Sequence, residues 1–258
     1  MGKDANNKKI ENMRPLKADL HLHTADDPLD RIKYTAKELI SKAADQGFDV
    51  LAITNHHHTT FNRDLFHYAQ QRNILLIPGV ELTIRRRHVL VLNPPPCKIR
   101  ADFSSLAKLR RSETLIIAPH PYFPGSYSLN GYLLKHLHLF DALEYCHFYL
   151  PRVDFNRKAI EVSQIFDFPL IGNSDAHFLV QLGTTFSLIY AEKNLESIFA
   201  AIRAHKVEVV TRPLKPMEMG RIARRFLGMK VHSTIIKPPN AIRRYKKATE
   251  SIDRSVAI

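Results

Sequence analysis

The segment that decides the fold is ADLHLHTADDPLDRIKYTAKELISKAADQGFDVLAITNH, residues 18–56. Its two ends, ADLHLHT (18–24) and DVLAITNH (49–56), are short, largely apolar runs that predict strands. Between them residues 34–46 predict a helix, and Gly47 follows as the kind of residue that commonly ends one. The segment therefore predicts a strand–helix–strand unit, the element from which parallel sheets are built.

The same alternation continues to about residue 211. Strands are predicted at 74–84, 88–93, 114–120, 142–148, 169–177 and 184–191, and helices at 65–72, 104–113, 129–140, 155–166 and 194–206. Asn194 is the predicted N-cap of the last helix. Six or seven β–α units in this length favour a small α/β barrel, but periodicity alone leaves an open doubly wound sheet as an alternative.

The charge of the chain lies at its two ends. The formal net charge is +13, yet residues 212–258 hold 12 Lys+Arg against 3 Asp+Glu, and residues 1–17 hold 5 against 2. The middle is therefore nearly neutral, so the basic excess argues for nucleic-acid binding only at the ends. We predict a basic leader (1–16), a catalytic barrel (17–211) and a basic tail (212–258).

Composition excludes several classes of protein. With 258 residues, 45% hydrophobic and 24% charged, the chain is neither globally disordered nor collagen-like. Two cysteines, Cys97 and Cys146, make no disulfide framework, which is typical of a reducing compartment. We find no apolar run of about 18 residues and no signal-peptide core, and we expect a cytoplasmic protein without a transmembrane segment.

Ionisable side chains gather where the predicted strands end. His21 and His23 are two residues apart on one strand, so both imidazoles face one side and can reach one metal ion. Asp175 and His177 repeat this spacing near the end of another strand. In a barrel the carboxyl ends of the strands converge on one face. The side chains expected to meet there are His21, His23, His56, Glu81, His120, His147, Asp175 and His177.

Imidazoles and carboxylates are ligands for zinc, manganese or iron, and a carboxylate can bridge two ions. Each short motif alone is weak evidence, because such pairs are common on surfaces and in turns. Their joint occurrence predicts a metal centre, since burying so many ionisable groups without a metal would be costly.

Six motifs, DLHLHT, AITNHHH, GVEL, APHP, ALEYCHF and GNSDAH, occur in an order that resembles the polymerase and histidinol phosphatase (PHP) family. The stretch from FNRKAIEV to NLESIFAAIR also resembles the C-terminal half of small stand-alone members. The resemblance covers about residues 17–211. It implies a distorted seven-stranded (β/α)7 barrel, two or three divalent metal ions and phosphoester hydrolysis.

The resemblance also implies roles for individual residues. Glu81 would bridge the first ion to a second ion held by His120 and His147. His56 and His177 would bind a third ion with Asp27 or Asp26 from the loop TADDPLD, which departs from the family pattern by about one residue. The ligands implied for the first ion are His21, His23, Glu81 and Asp175.

Two further choices concern residues beside these ligands. Asn55 stands where the family usually has Asp, and we expect it to change the orientation or basicity of His56 without loss of metal. On strand parity His147 lies on one face and Cys146 on the other, and we prefer His147 as the ligand.

Arginines near the strand ends are predicted to contact phosphate. Arg152 is the stronger choice because its loop should lie on the catalytic face, whereas residues 85–87 fit a solvated turn equally well. His88 is expected to line the pocket, and at least one of His57 and His58 to be a bystander.

The absence of a Ser or Cys nucleophile motif predicts direct hydrolysis by a metal-activated hydroxide. A metal-bound water, His177 or Asp27 would protonate the leaving oxygen, and the sequence leaves these open. The short chain favours a phosphomonoester: a small metabolite, a nucleotide or an oligonucleotide end.

Two alternatives remain from the sequence. One is a metal-binding module with weakened catalysis, for which Asn55 is the only indication. The other is a nucleic-acid or anionic-surface binder acting through GRIARRFLGMKV (220–231), which has the spacing of a basic amphipathic helix. An ordinary helix or a partly disordered tail is the competing, and favoured, interpretation of that segment.

Overall fold

The computed structural model describes residues 14–96, 102–125, 127–220, 222 and 224. Within them one nine-stranded sheet has the order β7-β6-β5-β4-β3-β2-β1-β8-β9. Its strands are β1 (Leu16–Leu22), β2 (Val50–Ile53), β3 (Leu75–Ile84), β4 (Arg87–Leu92), β5 (Leu115–Ala118), β6 (Ala142–Cys146), β7 (Leu170–Asn173), β8 (Thr185–Ile189) and β9 (Val207–Thr211).

Before residue 212 the described residues form six α-helices, and side-chain caps fix where several of them begin. The helices are α1 (Ala36–Asp45), α2 (Arg63–Gln70), α3 (Phe103–Leu109), α4 (Gly131–His136), α5 (Arg157–Ile165) and α6 (Leu195–Arg203), with a 3-10 turn at Leu137–Leu139. Thr35 and Glu38 form a capping box at α1. The predicted cap Asn194 is confirmed, because its side chain accepts the Ser197 N–H.

The sheet is mixed, whereas the alternation of elements predicted a parallel one. Strands β1, β2 and β3 pair in parallel, and so do β5, β6 and β7. Strand β4 is antiparallel to both β3 and β5, and β8 is antiparallel to β1 and β9. The β3–β4 hairpin turns through Arg85 and Arg86, both with positive φ. The sequence pattern missed β9, a short, partly buried strand directly after α6.

The edge strands approach one another and nearly close the sheet into a barrel. The Gly172 N–H donates to Ser187 Oγ at 2.9 Å, and the Ser187 hydroxyl donates to the Gly172 carbonyl, also at 2.9 Å. One hydroxyl thus joins β7 to β8 where a backbone ladder is absent. A second link joins β7 to β1, where the Leu20 N–H donates to Asn173 Oδ1 at 2.8 Å. The predicted distorted α/β barrel is confirmed, with nine strands where the family resemblance implied seven.

Substitution of Gly172 tests this closure. A Cβ at Gly172 would lie 2.8 Å from the Phe186 carbonyl oxygen and 2.8 Å from Val209 Cγ1. We therefore expect Gly172→Ala to lower the free energy of unfolding by about 1–3 kcal/mol, the usual cost of overpacking. Gly131→Ala is the matched control, because a Cβ there meets nothing within 4 Å. Urea unfolding measures both, and equal midpoints would argue against a tight seam.

The barrel interior is apolar at one end and ionisable at the other. Residues such as Ala18, Leu20 and Ile117 form an interior cluster with the apolar face of α6. Helix α6 closes that end: Arg203 donates to Asp141 Oδ1 at 3.1 Å and to the Thr114 carbonyl at 2.6 Å, at the starts of β6 and β5. The opposite end, where the parallel strands finish, is left to the histidines and carboxylates.

The chain leaves the barrel at this open end. After β9 the Leu214 N–H donates to the Tyr149 carbonyl in the loop after β6, and Leu214 is buried. Residues 216–220 are helical. Most of the predicted leader, and the tail beyond residue 224, lie outside the described residues, so the domain bounds stay predictions. Of the predicted amphipathic helix, Ile222 is buried and Arg224 is exposed. None of the described helices is long and apolar enough to cross a membrane.

Candidate metal centre

A β-bulge in β1 turns His21 and His23 into the site. Asp19 pairs with Leu51 but Leu22 pairs with Ile53, so over this stretch β1 contains one residue more than β2. Inside the bulge Asp19 Oδ1 accepts the His21 N–H at 3.4 Å and the Ser174 N–H at 3.2 Å. The buried carboxyl of Asp19 therefore ties the bulge to the end of β7.

Four ligand atoms lie close together beside the bulge. His21 Nε2 and His23 Nε2 are 3.1 Å apart, and each lies 3.3 Å from Glu81 Oε2. Each also lies 3.3 Å from Asp175 Oδ1. Ligands about 2.1 Å from one tetrahedral zinc ion are separated by about 3.4 Å, so this spacing fits a shared ion. The structure thus brings together the four residues that the sequence predicted for the first metal.

The outer nitrogens of these imidazoles are already engaged. Nδ1 of His21 lies 2.9 Å from Glu144 Oε1, and Nδ1 of His23 lies 2.9 Å from Asp27 Oδ2. Because an ionised carboxylate only accepts, each Nδ1 carries a proton, and Nε2 is the atom that faces the centre and would bind a metal ion once it has lost its own proton. This tautomer is the one that binds metals, and it is an independent sign that the residues fit divalent ions.

The charges of the cluster show the same need for a cation. Burial lowers the pKa of His21, but Asp175, Glu144 and Glu81 outweigh it and raise that pKa well above its ordinary value. Burial also raises the pKa of Asp175, yet His21 and His177 hold it well below its usual range. Without metal the site attracts protons to its histidines, and a divalent ion would take their place.

Glu81 lies between several imidazoles. Its Oε2 is 3.2 Å from His56 Nε2, in addition to the contacts with the first cluster. Its Oε1 is 2.6 Å from His88 Nδ1 and 3.5 Å from His120 Nε2. A carboxylate with imidazoles on both oxygens is placed to bridge two ions, as the family resemblance implied.

His88 is more central than the sequence indicated. Its ring lies 5.0 Å from that of His56 and 5.5 Å from that of His120, measured between centroids. Burial, opposed by Glu81, lowers the pKa of His88 to about 4. His56, Glu81 and His88 together offer three ligand atoms close enough to hold an ion.

The loop after β1 supplies a carboxylate that the sequence did not single out. Asp30 Oδ2 lies 3.0 Å from His177 Nε2 and 3.7 Å from His56 Nδ1. Asp26 is exposed. Three aspartates share this loop, and spacing alone could not rank them. Asp30 now joins Asp27 as a possible partner of the third predicted ion.

Asp27 lies inside the site but is occupied by hydrogen bonds. Its Oδ2 is 2.9 Å from Nδ1 of His23 and 2.9 Å from Nδ1 of His56, and it accepts the His56 N–H, also at 2.9 Å. Its Oδ1 accepts the N–H groups of Leu29 and Asp30. Asp27 thus orients two predicted ligands, and a direct bond to metal stays a prediction.

His147 is buried beside Gln181. Gln181 Oε1 accepts two backbone N–H groups, of His177 and Phe178, so its amide nitrogen faces His147 Nε2 at 2.8 Å. His147 Nδ1 is buried and has no hydrogen-bond partner among the described residues. Burial lowers the pKa of His147 to about 4, against the raising effect of Asp175. Its role as a ligand of the second ion stays a prediction.

Strand parity, which favoured His147, does not apply as expected. On β6 the inward positions are Ala142 and Glu144, so the face shared by Leu143 and Tyr145 points outward. The strand ends at Cys146, and His147 belongs to the turn that follows. Because the parity argument chose the wrong face of β6, it also missed Glu144, the buried carboxylate that contacts His21.

The predicted arginines, His57 and Asn55 lie around the metal centre, each in a different environment. Arg152 is exposed in the loop after β6, and Arg85 and Arg86 are exposed at the hairpin turn. His57 accepts the Thr83 N–H at 3.3 Å, as expected of a bystander. The Asn55 amide donates to Thr24 and Thr60, whereas the contacts to the ring of His56 come from Asp27, Asp30 and Glu81.

A barrel with imidazoles and carboxylates at the carboxyl ends of its strands is typical of metal-dependent hydrolases. Comparison with family models supports this assignment. The PHP domain model matches residues 19–179, and a PHP-associated model matches residues 154–207. The chain therefore belongs to the PHP family of metal-dependent phosphoester hydrolases, and the predicted enzyme class is confirmed.

Similar solved structures share this fold. One is a two-domain protein from Bacteroides vulgatus, described as containing a predicted PHP-like metal-dependent phosphoesterase (18% identity, TM-score 0.59, 76% of this chain and 65% of that one). Another is PsfC from Pseudomonas syringae (17%, 0.59, 83% and 100%). A third is the lesion-specific endonuclease Q from Pyrococcus furiosus (17%, 0.55, 78% and 59%). The chain thus spans less than two thirds of the first and third, and no curated protein matches it.

Proposed function

We propose that the protein hydrolyses a phosphomonoester of a small metabolite, a nucleotide or an oligonucleotide end. The observation that carries the proposal is that the Nε2 atoms of His21 and His23 lie 3.1–3.3 Å from each other and from Glu81 and Asp175. Divalent ions bound there would supply Lewis acidity and lower the pKa of water.

The residues around the centre divide the remaining work. Glu144 and Asp27 hold the outer nitrogens of His21 and His23, so the ligands are fixed before substrate enters. Arg152 is the exposed cation proposed to contact the phosphoryl oxygens, because its loop follows the strand that leads to the site.

His177 has two proposed roles that exclude one another at a single atom. Its Nδ1 donates to the Asp175 carbonyl at 2.9 Å, so Nε2, which lies 3.0 Å from Asp30 Oδ2, is the atom that would bind a third ion or carry a proton to the leaving oxygen. Metal content separates these roles: three ions per chain favour the ligand and two favour the proton donor.

Nucleic-acid ends are included among the proposed substrates for two reasons. The structure of endonuclease Q with a 27-mer duplex that has an abasic lesion at its active site is similar in fold (16% identity, TM-score 0.52). In this chain, the basic tail follows Leu214, which is bonded to a loop at the open end of the barrel. We propose that the tail holds the rest of a polyanion whose end enters the site.

Elemental analysis and a substrate panel test the proposal. Purified full-length protein, reconstituted with Mn²⁺, Zn²⁺ or Fe²⁺, is assayed on an aryl phosphate, its bis-aryl ester, nucleoside monophosphates and a 5′-phosphorylated oligonucleotide. We expect monoesters to be turned over faster than the diester. Faster diester cleavage, or no phosphate release by the metal-loaded protein, would contradict the proposal. A steep salt dependence confined to the oligonucleotide supports the role of the tail.

Tyr127 is the aromatic side chain that we propose contacts the alcohol part of the substrate. Tyr127 is 49% exposed, and its ring stacks on His88 with centroids 4.6 Å apart. His88 in turn contacts Glu81. The outer face of Tyr127 is therefore free to stack on a flat ring near the reacting phosphate.

We expect Tyr127→Leu to raise KM for nucleoside monophosphates about tenfold, the equivalent of about 1.4 kcal/mol and within the range of one lost stacking contact, and to leave KM for glycerol phosphate unchanged. Tyr127→Phe should behave as the parent protein. Tyr132→Leu is the control, because Tyr132 is 36% exposed and stacks on Phe103 and His136. Equal losses on both substrates would assign Tyr127 to supporting His88 alone.

A further inference from the structure

We propose that Glu144 is a positioning residue that couples the first and second metal sites. This proposal rests on the proposed metal-dependent activity, but Glu144 itself is expected to bind no metal. Glu144 is buried in the middle of β6, on the strand face that points into the barrel.

Both oxygens of Glu144 are engaged by different sides of the site. Its Oε1 lies 2.9 Å from His21 Nδ1 and accepts from Asn173 Nδ2 at 2.8 Å. Its Oε2 accepts the backbone N–H of His120 at 2.8 Å. One carboxylate thus holds the ring of a first-site ligand and the backbone of a predicted second-site ligand.

The bond to His120 has a conformational role. His120 has φ of +30°, a region that a non-glycine residue adopts only when its surroundings hold it there. In this conformation its Nε2 lies 3.5 Å from Glu81 Oε1. The N–H bond to Glu144 therefore helps to fix the turn that points His120 at the bridging carboxylate.

Asn173 extends the same connection across the barrel seam. Its Nδ2 donates to Glu144, and its Oδ1 accepts the Leu20 N–H. Glu144 is thereby linked to β1 beside the bulge as well as to the start of the loop after β5.

Only a carboxylate satisfies this arrangement. Three donors meet two oxygens, and glutamine would offer one oxygen and two further N–H donors. If its amide nitrogen faced His21, that imidazole would have to protonate Nε2 and lose the lone pair that faces the first site. If it faced His120, the backbone donor would be left unpaired.

A purely structural buried carboxylate provides a matched control. Asp141 directly precedes β6, and its Oδ2 accepts the Ile116 N–H at 2.8 Å while Oδ1 pairs with Arg203. It is buried as Glu144 is, but it lies at the start of the strand, away from the metal centre. Asp141→Asn should cost stability without touching the metal centre.

The experiment measures Mn²⁺ affinity, manganese content per chain and the unfolding temperature with and without Mn²⁺, for full-length wild type, Glu144→Gln and Asp141→Asn. We expect Glu144→Gln to weaken Mn²⁺ binding about 10–100-fold, as for other supports of metal ligands, and to lose most of the Mn²⁺-induced rise in Tm. Asp141→Asn should lower Tm but keep wild-type affinity within twofold.

Glu144→Gln with wild-type affinity and content would overturn the proposal, and so would a wild type that binds no Mn²⁺. If Glu144→Gln does not fold, Glu144→Asp is measured in the same way, and wild-type affinity in that variant has the same consequence. A wild type that binds Mn²⁺ but releases no phosphate contradicts the proposed function and leaves the affinity comparison intact.

Discussion

Simultaneous replacement of His21 and His23 by Ala is expected to abolish metal-dependent phosphate release. The two imidazoles supply half of the four-ligand cluster around one point, with their Nε2 atoms 3.1 Å apart. Metal ions contribute several kcal/mol of transition-state stabilisation, and each 1.36 kcal/mol is a factor of ten in rate. We therefore expect kcat/KM to fall about a thousandfold or more, together with a loss of bound metal.

The measurement is initial-rate hydrolysis of an aryl phosphate after chelation and reloading with Mn²⁺, with metal content determined in parallel. The control is His67→Ala with His205→Ala, two exposed histidines that lie on α2 and directly after α6. This pair should leave turnover and metal content unchanged. Undiminished turnover in the His21 and His23 variant would rule out the assigned metal centre.

The placement of His21 and His23 shows which features of the site could be predicted from the sequence and which could not. The i, i+2 spacing correctly predicted that both imidazoles share a side. It did not reveal the bulge between Asp19 and Leu22, which includes His21 and interrupts the alternation of β1. The prediction held because both histidines lie beyond Leu20, the last β1 residue of the interior apolar cluster.

The sequence did not predict the roles of residues that depend on partners far away along the chain. Glu144 looks like any charged residue in a strand, and only its contacts with His21 and His120 distinguish it. Asp30 is identified as part of the site only by its contact with His177, which the fold of the loop after β1 creates. Strand direction failed for the same reason, because apolar runs have the same appearance whichever way they pair.

The distribution of charge in the structure explains what the metals must do. The core of the site holds the carboxylates Glu81, Asp175, Glu144 and Asp27, all within a nearly neutral barrel. The basic residues near the open end, such as Arg152 and Arg86, are exposed at the rim. Burial lowers the pKa of His21 and His23, but without metal these carboxylates raise it and draw protons onto both rings; divalent ions would replace those protons and present positive charge to an incoming phosphate.

Asp27→Asn is expected to damage two predicted metal sites at once. Asp27 Oδ2 accepts from the rings of His23 and His56, and its Oδ1 accepts the backbone N–H groups of Leu29 and Asp30. Burial raises the pKa of Asp27, but the bonds from His23 and His56 outweigh it and hold that pKa far below its ordinary value. With the His56 backbone N–H, which also donates to Oδ2, the group is an ionised acceptor with five donors.

Asparagine cannot take over this role, because its amide nitrogen must face one set of donors. Each lost support of a metal-binding histidine costs about 10–100-fold in affinity or activity, so the combined loss is about 10²–10⁴-fold. We expect that loss in kcat/KM, with weaker Mn²⁺ binding and fewer ions per chain. Mn²⁺ titration and metal analysis of the purified variant measure it.

Asp26→Asn is the matched control, because Asp26 is the exposed neighbour in the same loop and carries the same charge. Asp30→Asn completes the set: it removes the carboxylate 3.0 Å from His177 Nε2 but leaves the supports of His23 intact. It should therefore affect one ion, whereas Asp27→Asn affects two. If Asp27→Asn and Asp26→Asn behave alike, the hydrogen bonds of Asp27 do not hold the ligands in place. If Asp30→Asn removes as much metal as Asp27→Asn, the loop acts through a single ion, and the first site keeps its histidines without help from Asp27.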